Sequence, residues 1–227
     1  MAREYITLVT SLPHLPHFER AARLPITERA LRQRLGILDA ADFLQLSNAI
    51  KLLRWRHHPV AAQTEHIDKQ YRAVMGTTIN AALREYVDWR IGGRAAMAAL
   101  RLKNNGQQTP PETPWGAGRL VRLIASHWNK PEVGLEALYP WLKEARVLLA
   151  KGDAMALERL QMSVVWRRLS RMGEINPFGF EFVSAYAFKW DILQRWLAYE
   201  ANKATQRFQL LVKEVIGEHT FAHAKSI

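Results

Sequence analysis

Two histidines near the end of the chain have the spacing of a metal site. His219 and His223 lie four residues apart, so a helix would bring both imidazoles to one face, where they could hold zinc. The HExxH pattern of zinc hydrolases is absent, however, and no third ligand is evident. We therefore interpret the pair as part of a terminal tail and predict no metal site.

Patterns that bind phosphate or support acid–base catalysis are also missing. The glycine-containing stretches WGAGR (115–119) and RIGGRAA (90–96) lack the spacing and the lysine of a phosphate-binding loop. Glu132, Glu136 and Glu144 have no spacing that would pair two carboxylates, and they are most simply solvated. The sequence accordingly predicts a protein that is not an enzyme and that uses no cofactor.

Arginines form the most informative clusters of charged side chains. In ERLQMSVVWRRLSRM (158–172), apolar residues at helical spacing predict a buried stripe, and four arginines occupy the other faces. A smaller pair follows Trp115. The clustered arginines are Arg119, Arg122, Arg159, Arg167, Arg168 and Arg171. They either grip phosphates or an acidic partner, or form a solvated face whose aliphatic stems cover aromatic rings, and the sequence favours neither interpretation.

The aromatic segment FVSAYAFKWDILQRW (182–196) either packs a core or contacts a partner. An apolar seam begins in it and continues at spacings of three or four residues, which predicts a long C-terminal helix. The seam comprises Trp190, Leu193, Leu197, Ala201, Ala204, Phe208, Leu211 and Val215. Core packing is the default interpretation, and Trp190 and Trp196 are the candidates for partner docking. Lys189 and Asp191 are expected at the exposed edge of the helix.

Helical periodicity extends along most of the chain, and the predicted fold class is all-α, a multi-helix bundle. Thr27 and Asp153 are predicted N-caps, and Gly36 is predicted to end a helix. No run of β-branched residues alternates with polar ones, so we expect no sheet beyond a short extended piece at 5–9.

A proline- and glycine-containing run, NNGQQTPPETPWGAG (104–118), cannot continue a helix and is the predicted linker. It would join an N-terminal helical lobe (1–103) to a C-terminal helical lobe (119–227). Within the first lobe, Gly76 and the pair at 92–93 are expected to divide the helical pattern of 64–104 into two or three pieces or to kink it.

The composition of the 227-residue chain, 48% apolar and 23% charged, is that of a folded globular protein. The absence of cysteine excludes disulfides, thiol nucleophiles and cysteine-ligated metal centres. A net charge of +11 favours acidic partners, namely nucleic acid, an anionic membrane surface or an acidic protein. No apolar stretch is long enough to span a membrane or to serve as a signal peptide, so we expect a cytoplasmic protein.

Several specific combinations of residues carry a resemblance to a known family. They occur in YITLVTSLPHL, in DWRIGGRAAMAALRLKNNG and in NPFGFEFVSAYAFKWDILQRWLAYEANKATQRF. The most distinctive are Trp115–Gly116 with Arg119, Pro140–Trp141, Trp166–Arg167 and the run Lys189–Leu193. With these segments the chain resembles, along nearly its whole length, a bacterial family encoded among V-type ATPase genes.

That family is similar to a shortened, divergent form of the V/A-type ATPase central-stalk subunit, called C in prokaryotes and d in eukaryotes. The resemblance implies an all-helical, non-catalytic subunit that links the rotating stalk to the membrane rotor ring. Its partners would be other V-type ATPase subunits, and its place would be peripheral, at the cytoplasmic face of the inner membrane. The similarity lies mainly in Phe178–Phe208. The chain is shorter than typical members of that subunit, so we do not expect their complete three-lobed funnel.

The alternative hypothesis is a basic helical protein that binds nucleic acid. A sequence pI near 10.2 and tryptophans beside arginines favour this class. Against it, the arginines are spread over several segments and no recognition helix of a helix-turn-helix motif stands out.

Overall fold

The computed structural model describes residues 4–54 and 63–200, which form an all-α bundle and confirm the predicted fold class. The elements are α1 (Ile6–Ser11), a 3₁₀ turn (Phe18–Arg20), α2 (Glu28–Leu35), α3 (Ala40–Leu53), α4 (Gln63–Thr77), α5 (Ala81–Asn104), α6 (Val121–Ser126), α7 (Leu142–Ala150), α8 (Ala154–Ile175) and α9 (180–200). None of these helices is long and apolar enough to cross a membrane.

The expected extended piece at 5–9 is wrong, because α1 occupies it. Leu8 is fully buried, so core packing holds these β-branched residues in a helical turn despite their strand propensity. β-type pairing in the described residues is confined to an isolated antiparallel bridge between Glu4 and Gly179.

The predicted helix ends are confirmed. The side chain of Thr27 accepts a hydrogen bond from the Ala30 amide at the start of α2, and Asp153 caps α8 through the Ala156 amide. Gly36 stands at the C-cap of α2, as expected. The sequence therefore placed these boundaries through local side-chain chemistry alone.

The helical pattern of 64–104 is divided once, between α4 and α5, and neither predicted glycine position breaks it. The break lies at 78–80, where the Asn80 side chain accepts a hydrogen bond from the Leu83 amide and begins α5. Gly76 lies inside α4, and α5 continues through Gly92 and Gly93. Gly92 is instead a point of close approach, since a Cβ there would lie 2.5 Å from the Tyr139 hydroxyl oxygen.

The buried side chains form two apolar clusters that share α5. The first joins α1 to α4 and the early part of α5 to α8 and α9, and the second joins the later part of α5 to α6, α7 and the start of α8. Residues 105–118 contain no helix and pack against the bundle, with Ala117 buried. The clusters thus divide within α5, and the domain boundary at 104–118 stays a prediction.

The predicted C-terminal helix is described as α9 from 180 to 200, and its aromatic segment lies in the core, as the default interpretation expected. Trp190 and Leu193 are buried, and Leu197 packs against the same cluster. The remainder of the seam, from Ala201 to Val215, lies outside the described residues, as does the pair His219 and His223.

Candidate docking surfaces

Two of the predicted docking arginines on α8 are neutralised by acids of the chain itself. Arg159 forms an ion pair with Glu19, and Arg168 forms one with Glu85 of α5. The Arg168 guanidinium also lies over the Trp89 ring, 5.7 Å from its centroid. Both guanidinium groups therefore have partners within the chain, and a role of these two arginines in docking stays a prediction.

The other predicted arginines differ in exposure and in whether an acid pairs with them. Arg119 donates from Nε to Asp88 at 2.8 Å, and this hydrogen bond raises the pKa of the guanidinium. Arg122, Arg167 and Arg171 are exposed, and no acid within the described residues pairs with them. Arg167 and Arg171 lie one turn apart on α8 and form a small arginine face.

The two tryptophan candidates occupy different environments. Trp190 is 1% exposed and donates its indole N–H to the Ile26 carbonyl at 2.9 Å, so the protein itself encloses the ring. Trp196 is half-buried, with edge contact to Phe18 and stacking on Tyr199. Of the two, only the ring of Trp196 is open to contact from outside.

The charges beside Trp190 lie at the edge of α9, but both have partners. The Lys189 ammonium lies over the Trp166 ring, 5.3 Å from its centroid, and burial lowers its pKa. Asp191 accepts from Arg54 Nε at 3.1 Å, which ties α9 to the end of α3. These residues anchor α9 rather than simply meeting solvent.

A polar network at one end of the bundle connects four segments that are far apart in sequence. The Tyr5 hydroxyl donates to Asp42 at 2.6 Å, and the Tyr5 amide donates to the Phe178 carbonyl at 2.6 Å. Gln45 is buried, and its Oε1 accepts from the amides of Ile79 and Asn80 at 3.2 and 3.0 Å. The network holds the starts of α1 and α3, the α4–α5 turn and the α8–α9 turn together.

The environment of the Tyr5 hydroxyl in this network raises its pKa. Burial is the main cause that raises the pKa of Tyr5, and the neighbouring Asp42 carboxylate adds to it because an ionised phenol would be repelled. Tyr5 is therefore a neutral donor at any physiological pH. The Tyr5 hydroxyl therefore acts as a donor to Asp42 in this network.

Exposed apolar side chains are concentrated at the same end. Ten large apolar side chains are exposed in the described residues, and six of them belong to this network or lie within three residues of one of its members. A seventh, Ile37, lies two residues before Asp39, whose amide donates to the Tyr5 hydroxyl oxygen at 3.4 Å. We call these seven the apolar end: Ile6, Ile37, Phe43, Leu44, Ile79, Ile175 and Phe178. Surfaces rich in exposed apolar groups are a common feature of interaction sites.

Asn80 is a positioning residue of this end, and its replacement by alanine is expected to lower the free energy of unfolding by about 1–2 kcal/mol. It caps α5 through Leu83, and its Nδ2 also donates to Glu181 of α9 at 2.6 Å. Urea denaturation followed by circular dichroism measures the change. The control is Thr27→Ala, which removes a cap without a second bond and should cost less; an equal loss would contradict the link to α9.

Within the described residues, the carboxylates considered for acid–base catalysis lie in an ion pair or at the surface. Glu132 forms an ion pair with Arg146 at 3.2 Å, and Glu136 and Glu144 are exposed. Within the described residues, no three histidine or acidic side chains converge as metal ligands.

Comparisons of the chain with protein-family models, with curated proteins and with solved structures found no match. The surfaces described above therefore have to be interpreted from their own chemistry.

Sequence reasoning missed the apolar end, because single exposed apolar residues are common on any protein and carry no periodic signal. One local signal existed. Phe43 and Leu44 adjoin on α3, so they lie on different faces of the helix and cannot both point into a core on one side.

Proposed function

We propose that this protein is a non-catalytic subunit of a V-type ATPase that couples the central stalk to the membrane rotor ring. The apolar end carries the proposal, because a coupling subunit needs a broad surface that a partner covers permanently, and such surfaces are rich in apolar groups. The resemblance of the sequence to a family encoded with V-type ATPase genes supplies the identity of the partners.

Rigidity of the body also suits a subunit that transmits torque. α5 runs for 24 residues and contributes to both apolar clusters, while the polar network fixes four chain segments at the apolar end. The excess of basic residues would favour an acidic stalk subunit or the anionic headgroups around the ring. A peripheral position at the cytoplasmic face of the membrane belongs to the same proposal.

Affinity purification from the native host tests this function. The tagged protein is recovered from membranes solubilised in mild detergent, and the copurifying chains are identified by mass spectrometry. We expect stalk and ring subunits together, in matching stoichiometry. Recovery of nucleic acid without ATPase subunits, with binding that weakens as salt rises, would overturn the proposal in favour of the nucleic-acid alternative.

Charges introduced into the apolar end are expected to reduce this recovery strongly. Ile79 and Ile175 are 83% and 66% exposed, so replacing both by glutamate should leave the fold intact. The copurified subunits should fall about 10-fold or more, because a buried unpaired carboxylate opposes association. Leu138→Glu is the matched control, since Leu138 is 53% exposed and does not belong to the apolar end. An equal loss in the control, or no loss in the double variant, would contradict docking at this end.

A further inference from the structure

A cavity of about 790 Å³ lies beside α5, between the turn that joins α7 to α8 and the C-terminal helix α9. Its described wall includes four arginines, three of which come from α5 and one from α9. They are Arg90, Arg94, Arg101 and Arg195. Positions 90, 94 and 101 recur at spacings of four and seven, so they share one face of α5.

Among the described residues of the wall, guanidinium groups outnumber carboxylates. Two carboxylates, Asp153 and Glu158, contribute to the wall against four guanidinium groups. Asp153 is already engaged as the cap of α8, where it accepts from the Ala156 amide at 2.9 Å. Glu158 forms an ion pair with Arg195 at 3.6 Å from its Nε, and that buried nitrogen has no hydrogen-bond partner in the described residues.

Burial disfavours the charged forms of Arg90 and Arg94. Burial, as the main cause, and the neighbouring Arg90 guanidinium lower the pKa of Arg94 to about 9. Burial likewise lowers the pKa of Arg90, with Arg195 acting in the same direction. Arg94 is anchored through a hydrogen bond from its Nη2 to the Leu53 carbonyl at the end of α3. Arg90, Arg94 and Arg195 line the same cavity, where a bound anion would reduce the repulsion between their charges.

The rest of the described wall includes several apolar side chains. Met97 of α5, Leu148 and Leu149 of α7, Leu157 of α8 and the ring of Trp115 are among them. Guanidinium groups bind phosphate through paired N–H donors, whereas an apolar wall with an indole suits a flat or hydrophobic group. The volume lies within the range of small-molecule sites.

We propose that this cavity binds a phosphate-bearing small molecule of nucleotide size, with its phosphates on the four arginines and its apolar part against Trp115 and the leucines. The site is separate from the apolar end, so it stands whether or not the proposed coupling function is correct. An anion bound there would contact arginines of both α5 and α9 and would link the two helices.

Isothermal titration calorimetry on the full chain tests the site, with pyrophosphate and ADP as the two probes. We expect both to bind, with ADP binding at least about 5-fold more tightly because only ADP reaches the apolar wall. Arg195→Met and Arg101→Met should each weaken pyrophosphate binding about 10-fold or more. Trp115→Ala should weaken ADP binding and leave pyrophosphate binding unchanged.

Arg84→Met is the matched control, since Arg84 is exposed on α5 and lies outside the cavity wall. Its affinity for both probes should equal that of the unaltered protein. Thermal melting of every variant confirms folding, and Arg195 and Arg101 are half-exposed or exposed, so at least one of these variants should remain folded. Absence of binding at millimolar probe, or equal weakening in Arg84→Met, would overturn the site and leave only attraction to the net positive charge.

Discussion

Replacing Trp190 with phenylalanine is expected to lower the free energy of unfolding by about 2–4 kcal/mol. The indole is enclosed in the first apolar cluster and donates its N–H to the Ile26 carbonyl at 2.9 Å. Phenylalanine would leave that buried carbonyl without its donor and would leave part of the indole volume empty. Urea denaturation followed by circular dichroism gives the free energy, with the slope checked for two-state behaviour.

Trp141→Phe is the matched control for the hydrogen bond. The Trp141 indole N–H is buried and has no hydrogen-bond partner in the described residues, so phenylalanine removes a polar group that the fold does not satisfy. Its cost should be about 1 kcal/mol or less, because relief of that group offsets the lost volume. Equal costs for the two variants would show that the bond to Ile26 contributes nothing to stability.

Replacing Gly92 with alanine is expected to lower the free energy of unfolding by about 1–3 kcal/mol, although alanine is the better helix former. The added Cβ would lie 2.5 Å from the Tyr139 hydroxyl oxygen and 2.6 Å from Leu120 Cδ1, so both side chains must move. Moving Tyr139 also stretches its hydrogen bond to the Trp89 carbonyl, now 2.9 Å. Thermal or urea unfolding measures the loss.

Gly76→Ala separates this steric effect from helix propensity. Gly76 is also helical, but nothing lies within 4 Å of the position of its Cβ. Alanine there should raise the free energy of unfolding by about 0.5–1 kcal/mol, because it lowers the entropy of the unfolded chain. Opposite signs for the two substitutions are expected. Stabilisation by both would mean that α5 and the Tyr139 segment do not approach as closely as the structure has them.

Tyr139 shows how the predicted arginines depend on tertiary contacts. Burial raises the pKa of its hydroxyl and the nearby Asp88 raises it further, while Arg119 and Arg168 oppose the rise. These two arginines are 49 residues apart in sequence but act on one phenol. The structure therefore brings two members of the predicted docking set together around Tyr139, whereas Arg167 and Arg171 stay on the open face of α8.

Much of the helical framework could be predicted because its signals are local. Capping by Thr27 and Asp153 involves residues three positions apart, and the buried stripe of α8 follows from apolar spacing within one helix. The sequence placed the break before α5 at a glycine, which was wrong. Gly76 lies inside α4, and Gly92 lies inside α5 at a point of close packing. Only the neighbouring Tyr139 explains why Gly92 is small.

The candidate surfaces were harder to predict because their residues are far apart in the chain. Sequence clusters drew attention to arginines on α8, yet Arg159 and Arg168 are paired with distant acids. The apolar end joins segments near residues 6, 43, 79 and 178, none of which is unusual alone. The cavity arginines on α5 did have a helical spacing, but their common environment depends on Arg195 of α9.

By itself, the sequence determined the all-α class, several helix boundaries and the burial of the aromatic segment around Trp190. It did so because propensity, capping and apolar periodicity act over a few residues and are written directly in their order. Only the tertiary structure decided which arginines are neutralised, where apolar groups remain exposed and which guanidinium groups share a cavity. Those properties depend on contacts between residues that can lie more than a hundred positions apart in the sequence. The periodicity within one helix contains no information about such contacts.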